Sequence, residues 1–395
     1  MANDRTAHIL VVTDPPAAPG YLPRVRYMCD YLVRRGYQVT LLTEQYEPLD
    51  FAHDYPIVAI PMYSGSTFDW AVKTLWTMLT DWHNRVFARR ALSTLNFKLS
   101  TLNFKYDLVL CTSFSDFPLG AGYRIAKRLG APLLCDIRDL DEQVDDSRYQ
   151  YHHRTWWTML GRRLYRAVHI RRRNRILRAA DAITTVSPWH ADFIRHITFK
   201  RSHGAAVHTV YNGYDEAQFY PADLPTDSFR ITYIGSLFDW QHSALQLVRQ
   251  AIRETGLPVT LDIHTPKDRP VAHDRLGDAI RQSNVMLVLT NPRTHGMLTT
   301  KFYEALGCDK PILCVPSDQG SLAELIAYTN AGMATDDKEQ IKSFIATLYR
   351  EWQQNGFTRR HAEHRDEFSR RTQTQQLEQI IINILSQWTN KNYAN

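Results

Sequence analysis

Lys301 and Glu304 stand three residues apart, where a predicted strand passes through a loop into a predicted helix in the stretch LTNPRTHGMLTTKFYEALG. At that spacing both side chains lie on one face of a helix. Thr299 or Thr300 is a suitable N-cap, and the backbone amides from Gly296 to Thr300 would attract an anion. Lys301 would add a positive charge where the helix dipole disfavours a cation, which makes sense beside a diphosphate. Glu304 could accept both hydroxyls of a ribose, although an ordinary exposed Lys–Glu pair has the same spacing.

Short apolar strands alternate with amphipathic helices along most of the chain. Continuous apolar runs between turn signals are typical of a parallel sheet that is covered on both faces. Their alternation with helices predicts an α/β fold built from doubly wound, Rossmann-like sheets. The predicted strands occupy residues 8–13, 38–43, 56–61, 106–112, 132–137, 181–187 and 206–212, and then 229–236, 258–265, 284–290 and 311–315.

The strand pattern stops and starts again across a segment rich in Pro, Asp and Gly. We therefore predict two tandem Rossmann-like domains, at 1–213 and 229–358, joined by a linker at 214–228. The last stretch, 359–395, reads as a long polar helix with one apolar stripe that could pack back on the first domain. Two such sheets would face a central cleft at the carboxyl ends of their strands, where ligands of this fold class bind.

Composition excludes several classes of protein. The chain of 395 residues carries 47 basic and 41 acidic side chains, but eight arginines fall in the single stretch 162–178. So local a patch argues against a nucleic-acid-binding protein. The five cysteines have no metal-site or disulfide-framework spacing, no signal peptide is recognisable and no apolar window is long enough to span a bilayer. We expect a cytoplasmic protein without a metal ion or cofactor.

Six blocks in a fixed order carry a resemblance to a known family. The chain is similar to the retaining, nucleotide-sugar-dependent glycosyltransferases with two Rossmann domains (the GT-B architecture), specifically to family four. The likeness covers nearly the whole chain. The blocks are PGYLPRVRYMCDYLVRRGYQVTLLT at 19–43, PLLCDIRDL at 132–140, AADAITTVSPW at 179–189, VYNGYDEAQFYP at 210–221, YIGSLFDW at 233–240 and KFYEALGCDKPILCV at 301–315.

The resemblance implies that an N-terminal acceptor-binding domain and a C-terminal nucleotide-sugar-binding domain transfer a sugar to an acceptor hydroxyl. Glu304 matches the second glutamate of the family's E-x7-E motif, which holds the ribose. Gly235 and Ser236 would approach the donor phosphates. The donor-binding residues implied in this way are Gly20, Gly235, Ser236, His264, Gly296, Met297, Leu298, Thr300, Lys301 and Glu304.

The chain departs from the family pattern at several positions. Gly296 replaces the first glutamate, and Ser236 and Gln241 stand where an arginine and a lysine often neutralise the diphosphate. The histidine that often follows the fifth strand is replaced by DIRD, so Arg138 or Asp139 would face the cleft, although the two could also form a buried structural pair. The catalytic candidates are Asp139, Arg138 and Lys301.

Two segments raise the question of a membrane. Residues 68–87 carry a helical apolar stripe, which fits a core-facing helix or a face that lies on lipid. The arginine-rich helix would suit anionic headgroups or a lipid diphosphate, or is simply solvated. The arginines of the expected membrane or acceptor patch are Arg162, Arg166, Arg171, Arg172, Arg173 and Arg175.

These observations favour a retaining glycosyltransferase of surface polysaccharide or glycolipid biosynthesis, attached peripherally to the cytoplasmic face of a membrane. Its partners would be a nucleotide sugar donor, a carbohydrate or lipid-linked acceptor and an anionic membrane surface, with no nucleic acid. The alternative is a non-catalytic GT-B-like partner subunit that has lost phosphate-binding charge at Ser236 and Gln241. A nucleotide-sugar epimerase on the same architecture is a third class.

Overall fold

A computed structural model describes most of the chain, and its strands form two parallel sheets. The described residues are 7–13, 23–45, 53–62, 76–102, 105–113, 117–143, 156–199, 205–291 and 294–393. The chain divides into two compact units. The first unit comprises residues 1–142, 146–210 and 374–395, and the second comprises residues 143–145 and 211–373.

The first unit is built on a seven-stranded parallel sheet with the strand order β3-β2-β1-β4-β5-β6-β7. Its five inner strands are short and almost wholly buried, as a sheet covered on both faces requires, whereas its two edge strands are partly exposed. They are β1 (His8–Thr13), β2 (Gln38–Glu44), β3 (Ile57–Ile60), β4 (Leu108–Ser113), β5 (Leu133–Ile137), β6 (Ala182–Thr185) and β7 (Ala206–Thr209).

Helices cover both faces of this sheet. Successive side chains of a strand point to opposite faces, so Leu10 and Val12 pack in one core cluster, whereas Ile9 and Val11 pack in the other. The helices of the described part of this unit are α1 (Pro23–Arg34), α2 (Trp82–Leu102), α3 (Leu119–Leu129), α4 (Trp156–Leu177), α5 (Pro188–Thr198) and α11 (Arg370–Tyr393), whose first residues belong to the second unit.

The second unit has a five-stranded parallel sheet with the order β12-β11-β10-β8-β9. Its strands are β8 (Phe229–Ile234), β9 (Val259–His264), β10 (Val285–Leu289), β11 (Ile312–Val315) and β12 (Gly332–Ala334). Its helices are α6 (His242–Thr255), α7 (Leu276–Arg281), α8 (Thr300–Gly307), α9 (Ser321–Tyr328) and α10 (Lys338–Asn355). The prediction of two Rossmann-like α/β sheets is confirmed, because strands occur in all eleven predicted places.

Two local predictions differ from the structure. Strand β12 has the sequence GMA, which lacks the β-branched residues by which a strand is recognised. The continuous helix expected across residues 68–87 is interrupted at Asp81, whose φ of 59° ends the helical segment 76–80 before α2 begins. The earlier part of that segment, residues 68–75, lies outside the described residues.

The C-terminal helix α11 packs on the first unit. Its apolar stripe, which includes Leu377 and Ile381, joins the core cluster that α1 also lines. Glu378 on the same helix accepts a hydrogen bond from the hydroxyl of Tyr31 at 2.7 Å and one from Arg35 Nε at 3.1 Å. The polar sequence of this helix is thus explained by one buried stripe and a largely exposed remainder.

Lys310 is an unusual core residue of the second unit. Its side chain is only 2% exposed, and its ammonium group donates to the carbonyl of Thr358 at 3.2 Å. Burial lowers the pKa of Lys310 to about 8, although the nearby Cys308 and Asp223 oppose the shift. The fold therefore holds the charged ammonium form of Lys310 in a place that stabilises it less than water does.

We expect the contribution of Lys310 to the free energy of unfolding to rise as the pH increases from about 8 to 10.5. Over that range the unfolded chain, with an ordinary lysine pKa, binds a proton that the folded chain has lost. The rise attributable to Lys310 is about 3 kcal/mol at most. Urea unfolding followed by circular dichroism should show that Lys310→Met removes this rise, whereas Lys267→Met, a change at an exposed lysine of the same unit, leaves it. The same pH dependence in Lys310→Met as in the unchanged protein would contradict this assignment.

Candidate functional site

The candidate site begins with the helix α8, whose N-terminus has a well-formed cap. Thr299 is its N-cap, with extended backbone angles (φ −80°, ψ 147°), and its side chain accepts from the backbone N–H of Lys301 at 3.3 Å. Gly296 in the preceding loop has a φ of 64°, which favours glycine. The predicted N-cap and the turn before it are therefore both present.

Lys301 extends from the first turn of α8 over the glycine that follows β8. A Cβ atom built on Gly235 would lie 2.5 Å from Lys301 Cε and 2.7 Å from Lys301 Nζ. The φ of Gly235 is 141°, so a side chain is disfavoured there by the backbone as well. Lys301 Nζ also lies 5.6 Å from the centre of the Tyr233 ring. Glycine at position 235 is thus what lets the ammonium group approach the turn.

Glu304 lies one turn further along α8, on the same side as Lys301, and both side chains are half-buried. Burial raises the pKa of Glu304, while Lys301, Arg370 and the hydroxyl of Thr300 act in the opposite direction. Burial lowers the pKa of Lys301, and Glu304 opposes that shift. Each group therefore stabilises the charged form of the other in a place where water stabilises neither fully.

A network of hydrogen bonds holds the turn that follows Gly235. The hydroxyl of Tyr233 donates to the carbonyl of Ser236 at 2.6 Å. Gln241 is buried, accepts from the backbone N–H of Phe238 at 2.9 Å and donates to the carbonyl of Leu289 at 3.1 Å. Gln241, which stands where the family often has a lysine, therefore helps to hold this turn in place.

Three further predicted donor residues have different surroundings. The carbonyl of His264 accepts the N–H of Gly235 at 2.9 Å, and its ring Nε2 is 2.9 Å from Asp262 Oδ2. Met297 is exposed, so it remains available to a ligand. Leu298 was predicted to contact the donor, but its side chain packs in the core beside Phe302. With this side chain in the core, Leu298 could contact a donor only through its backbone, and its donor-binding role stays a prediction.

The candidates in the first unit lie at the end of β5. Arg138 is buried, and its backbone N–H donates to the carbonyl of Ser113 at 3.1 Å, while Asp139 is half-buried. These two residues and Lys301 belong to different units. Gly20, the remaining predicted donor residue, lies outside the described residues.

Sequence reasoning missed Asp136, the first aspartate of DIRD. It is 1% exposed and accepts hydrogen bonds from Arg24 at 3.0 Å, Thr112 at 3.0 Å and Thr184 at 2.7 Å. Arg24 also donates to the carbonyl of Val210 at 2.9 Å. The ion pair between Arg24 and Asp136 joins the start of α1 to the ends of the central strands. An acid inside an apolar strand, with an arginine at the start of a predicted helix, was the signal that could have revealed it.

The predicted arginine patch is wrong as a continuous surface. Arg173 is 3% exposed and binds both carboxylate oxygens of Glu142, at 2.7 and 2.5 Å. Arg172 donates to the carbonyls of Thr77 and Met78, each at 2.7 Å. Arg166 donates to the carbonyl of Asp141. The side chain of Arg162 is not described, and the exposed members of the predicted set are Arg171 and Arg175.

The described residues hold neither a metal-ligand cluster nor a bilayer-spanning helix. Across the ranges given above, no three His, Cys, Asp or Glu side chains come together as a metal site. All five cysteines are buried free thiols. No helix among the described residues is long and apolar enough to cross a bilayer.

A glycine replacement tests the close approach of Lys301. We expect Gly235→Ala to lower the free energy of unfolding by about 1–3 kcal/mol, since the new methyl group meets Lys301 and the backbone angle is strained. Gly256→Ala is the matched control, because Gly256 also has positive φ (67°) but has no atom within 4 Å of its Cβ position. Urea unfolding of the three proteins measures the difference. Equal losses in the two variants would mean that the approach of Lys301 adds nothing measurable to the cost of a Cβ atom at position 235.

One known family is similar to the first half of the chain. A model of the family described as "Glycosyl transferase 4-like domain" matches residues 20–213. Among curated protein sequences, none matches the chain.

The fold is shared with solved structures over nearly the whole chain. Sucrose-phosphate synthase from Thermosynechococcus elongatus is 14% identical with a TM-score of 0.66, covering 97% of this chain and 100% of its own. The catalytic domain of starch synthase IV from Arabidopsis thaliana, bound to ADP and acarbose, is 12% identical with a TM-score of 0.59, covering 97% and 100%. Anabaena Alr3699/HepE, in complex with UDP-glucose, is 12% identical with a TM-score of 0.56, covering 95% and 99%. The chain therefore shares its fold with these solved structures over nearly its whole length, and its residues 20–213 match the glycosyl transferase 4-like model.

Proposed function

We propose that this protein is a retaining glycosyltransferase that moves a sugar from a nucleotide-diphosphate-sugar donor to an acceptor hydroxyl. We place it in surface polysaccharide or glycolipid biosynthesis. The observation that carries the proposal is the half-buried Lys301 ammonium group above Gly235, with Glu304 one turn away on the same helix. No metal ion or cofactor is needed for the steps that follow.

The diphosphate would bind where Lys301 meets the start of α8. Burial lowers the pKa of Lys301, and an adjacent anion would favour its charged form. The N–H of Gly235 already donates to His264, so the glycine would contribute space rather than a hydrogen bond. The amides of the first turn of α8 point along the helix axis and add favourable dipoles. The departing diphosphate would thus be stabilised by one full charge and by fixed amides.

Glu304 would hold the ribose of the nucleotide. A carboxylate accepts two hydroxyl hydrogen bonds at once, and Glu304 lies close enough to Lys301 to affect its pKa. That two of the proteins with the same fold have been solved with UDP-glucose and with ADP supports a nucleotide donor for this chain. Retention rests on the sequence resemblance to family four, and the anomeric configuration of the product, read by NMR, tests it.

Variants at Lys301 and Glu304 test the donor site. We expect Lys301→Ala to weaken nucleoside diphosphate binding about 10- to 100-fold, because a charge-assisted contact is lost. It should hardly change the binding of the corresponding nucleoside, which has no phosphate. Glu304→Gln should weaken both ligands, because both carry the ribose. Thermal-shift and calorimetric titrations with UDP, ADP and GDP measure this.

The control for these titrations is Lys338→Ala. Lys338 lies in the same unit and pairs with Glu254 at 2.8 Å, away from α8. Its replacement should leave nucleotide affinity unchanged. Should Lys301→Ala and Glu304→Gln bind every nucleotide as the unchanged protein does, the proposed donor site is wrong.

The alternative function is a non-catalytic GT-B-like partner subunit. It is favoured by Ser236 and Gln241, which stand where the family often has cations, and by the structural role of Gln241. Such a subunit could bind a nucleotide without turning over a nucleotide sugar. Release of nucleoside diphosphate from a donor sugar, lost in Lys301→Ala, would support the enzyme over the subunit.

We further propose peripheral attachment to an anionic membrane, on its cytoplasmic face. The buried side of α4 includes His169 and Arg173, and the opposite side exposes Leu164, Arg171 and Arg175. Because Arg172 binds the carbonyls of Thr77 and Met78, the segment 76–80 lies against the same helix. Exposed apolar side chains beside exposed arginines suit anionic headgroups. The exposed apolar residues of this surface are Trp76, Leu79 and Leu164.

Charge reversal tests the membrane surface. We expect the double variant Arg171→Glu/Arg175→Glu to lose at least 10-fold in binding to liposomes containing phosphatidylserine at low salt, because each basic residue near such a surface contributes about 1 kcal/mol. Lys127→Glu/Arg128→Glu makes the same change of charge at exposed positions of α3 and is the control. Flotation assays give the bound fractions. Equal binding by the two double variants would rule out this surface.

A further inference from the structure

A carboxylate and an imidazole meet at the carboxyl edge of the first unit's sheet. Glu44 is the last residue of β2, and His83 lies in the first turn of α2. His83 Nε2 is 2.9 Å from Glu44 Oε2. Both belong to the unit that the sequence resemblance associates with the acceptor, at the edge where parallel sheets bind their ligands.

Glu44 is buried with part of its hydrogen-bonding capacity unused. It is 3% exposed, and Oε1 accepts no hydrogen bond from any residue that the structure describes. A carboxylate oxygen in such a place normally has a donor, because burying it without one is costly. The nearby Asp81 differs, since Arg124 and Asn84 donate to it at 2.6 and 2.8 Å. An acceptor that is held out of water beside an imidazole suits a ligand hydroxyl.

Aromatic packing fixes the position of the imidazole. The Phe117 ring lies 4.1 Å from the His83 ring, and it meets Phe87 edge-on at 5.3 Å. Ser113, at the end of β4, donates to the carbonyl of Phe117 at 2.7 Å. The His83 side chain keeps 13% of its surface exposed, so a ligand would reach the buried Glu44 carboxylate from the side of the imidazole. The partly exposed rings of His83 and Phe117, beside hydrogen-bonding groups, fit the mixed polar and C–H surface of a sugar.

We propose that Glu44 and His83 form a binding subsite for a neutral, hydroxyl-rich ligand, namely a sugar unit of the acceptor. Glu44 accepts hydrogen bonds from acceptor hydroxyls, and His83 holds the carboxylate and contacts the sugar. This inference rests on the proposed function, because the chain must use a carbohydrate acceptor. It also gives the first unit a histidine near the sheet edge, from a different element than the family pattern predicts.

Binding of simple glycosides tests the subsite without knowledge of the full acceptor. The probes are the methyl α- and β-glycosides of glucose, galactose, mannose and N-acetylglucosamine, measured by saturation-transfer NMR with the full chain. We expect at least one glycoside to bind in the millimolar range, and Glu44→Gln and His83→Gln each to weaken it at least 10-fold. Asp192→Asn removes an exposed carboxylate of the same unit and should leave binding unchanged.

Nucleotide binding separates this inference from the proposed function. Thermal shifts with UDP, ADP and GDP should be the same in Glu44→Gln and His83→Gln as in the unchanged protein, because the donor residues lie in the other unit. Failure of the donor site would appear as the absence of any nucleotide shift. Failure of the subsite would appear as glycoside binding that is absent, or equal in all variants, and either result overturns the inference.

A crystal of the unchanged protein soaked with the tightest glycoside covers the case in which the variants do not fold. A sugar hydroxyl within hydrogen-bonding distance of Glu44, about 3.2 Å or less, supports the subsite. A glycoside found elsewhere overturns it. A purely structural Glu44–His83 pair would lower stability when changed but would give no sugar density at this edge.

Discussion

The contact on which the candidate site depends is the approach of the Lys301 side chain to Gly235. It requires the absence of a Cβ atom at position 235, since one would lie 2.5 Å from Lys301 Cε. It also requires α8 to start at Thr299, because one residue of displacement would rotate Lys301 by about 100° around the helix. The strand order of the second unit's sheet then brings Lys301 and Gly235 together. Since β10 pairs with β8, the loop that leaves β10 passes the turn that leaves β8.

The sequence predicted the parts of this arrangement that local periodicity records. The strands are continuous apolar runs, Thr299 caps its helix, and Lys301 and Glu304 share a helical face, which are all properties of neighbouring residues. The contact between Lys301 and Gly235 depends on the order of the strands in the sheet. That order cannot be recognised from local patterns in a single sequence. The same reason explains why Glu44 and His83 were not paired in advance, since β2 and α2 are brought together only by the fold.

The arginine-rich helix α4 shows that the number of charged residues in a segment does not predict how many of them are exposed. Its arginines are alike in sequence, but the fold buries those on one face of the helix and exposes those on the other. Arg173 and His169 face inward, while Arg171 and Arg175 face outward. The partners that fix Arg166, Arg172 and Arg173 are a carboxylate and backbone carbonyls from other segments, which no spacing within the helix announces. An arginine can therefore be a structural tie or a free surface charge with the same neighbours in sequence.

Gln241 shows that a departure from a family pattern can have a structural role. Gln241 stands where the family often has a phosphate-binding lysine, yet it accepts the backbone N–H of Phe238 and donates to the buried backbone carbonyl of Leu289. A cation at that position could not accept the N–H of Phe238. Neutralisation of a diphosphate would then fall to Lys301 and to the amides of α8. Because burial already lowers the pKa of Lys301, the arriving phosphate charge would itself favour the protonated ammonium that binds it.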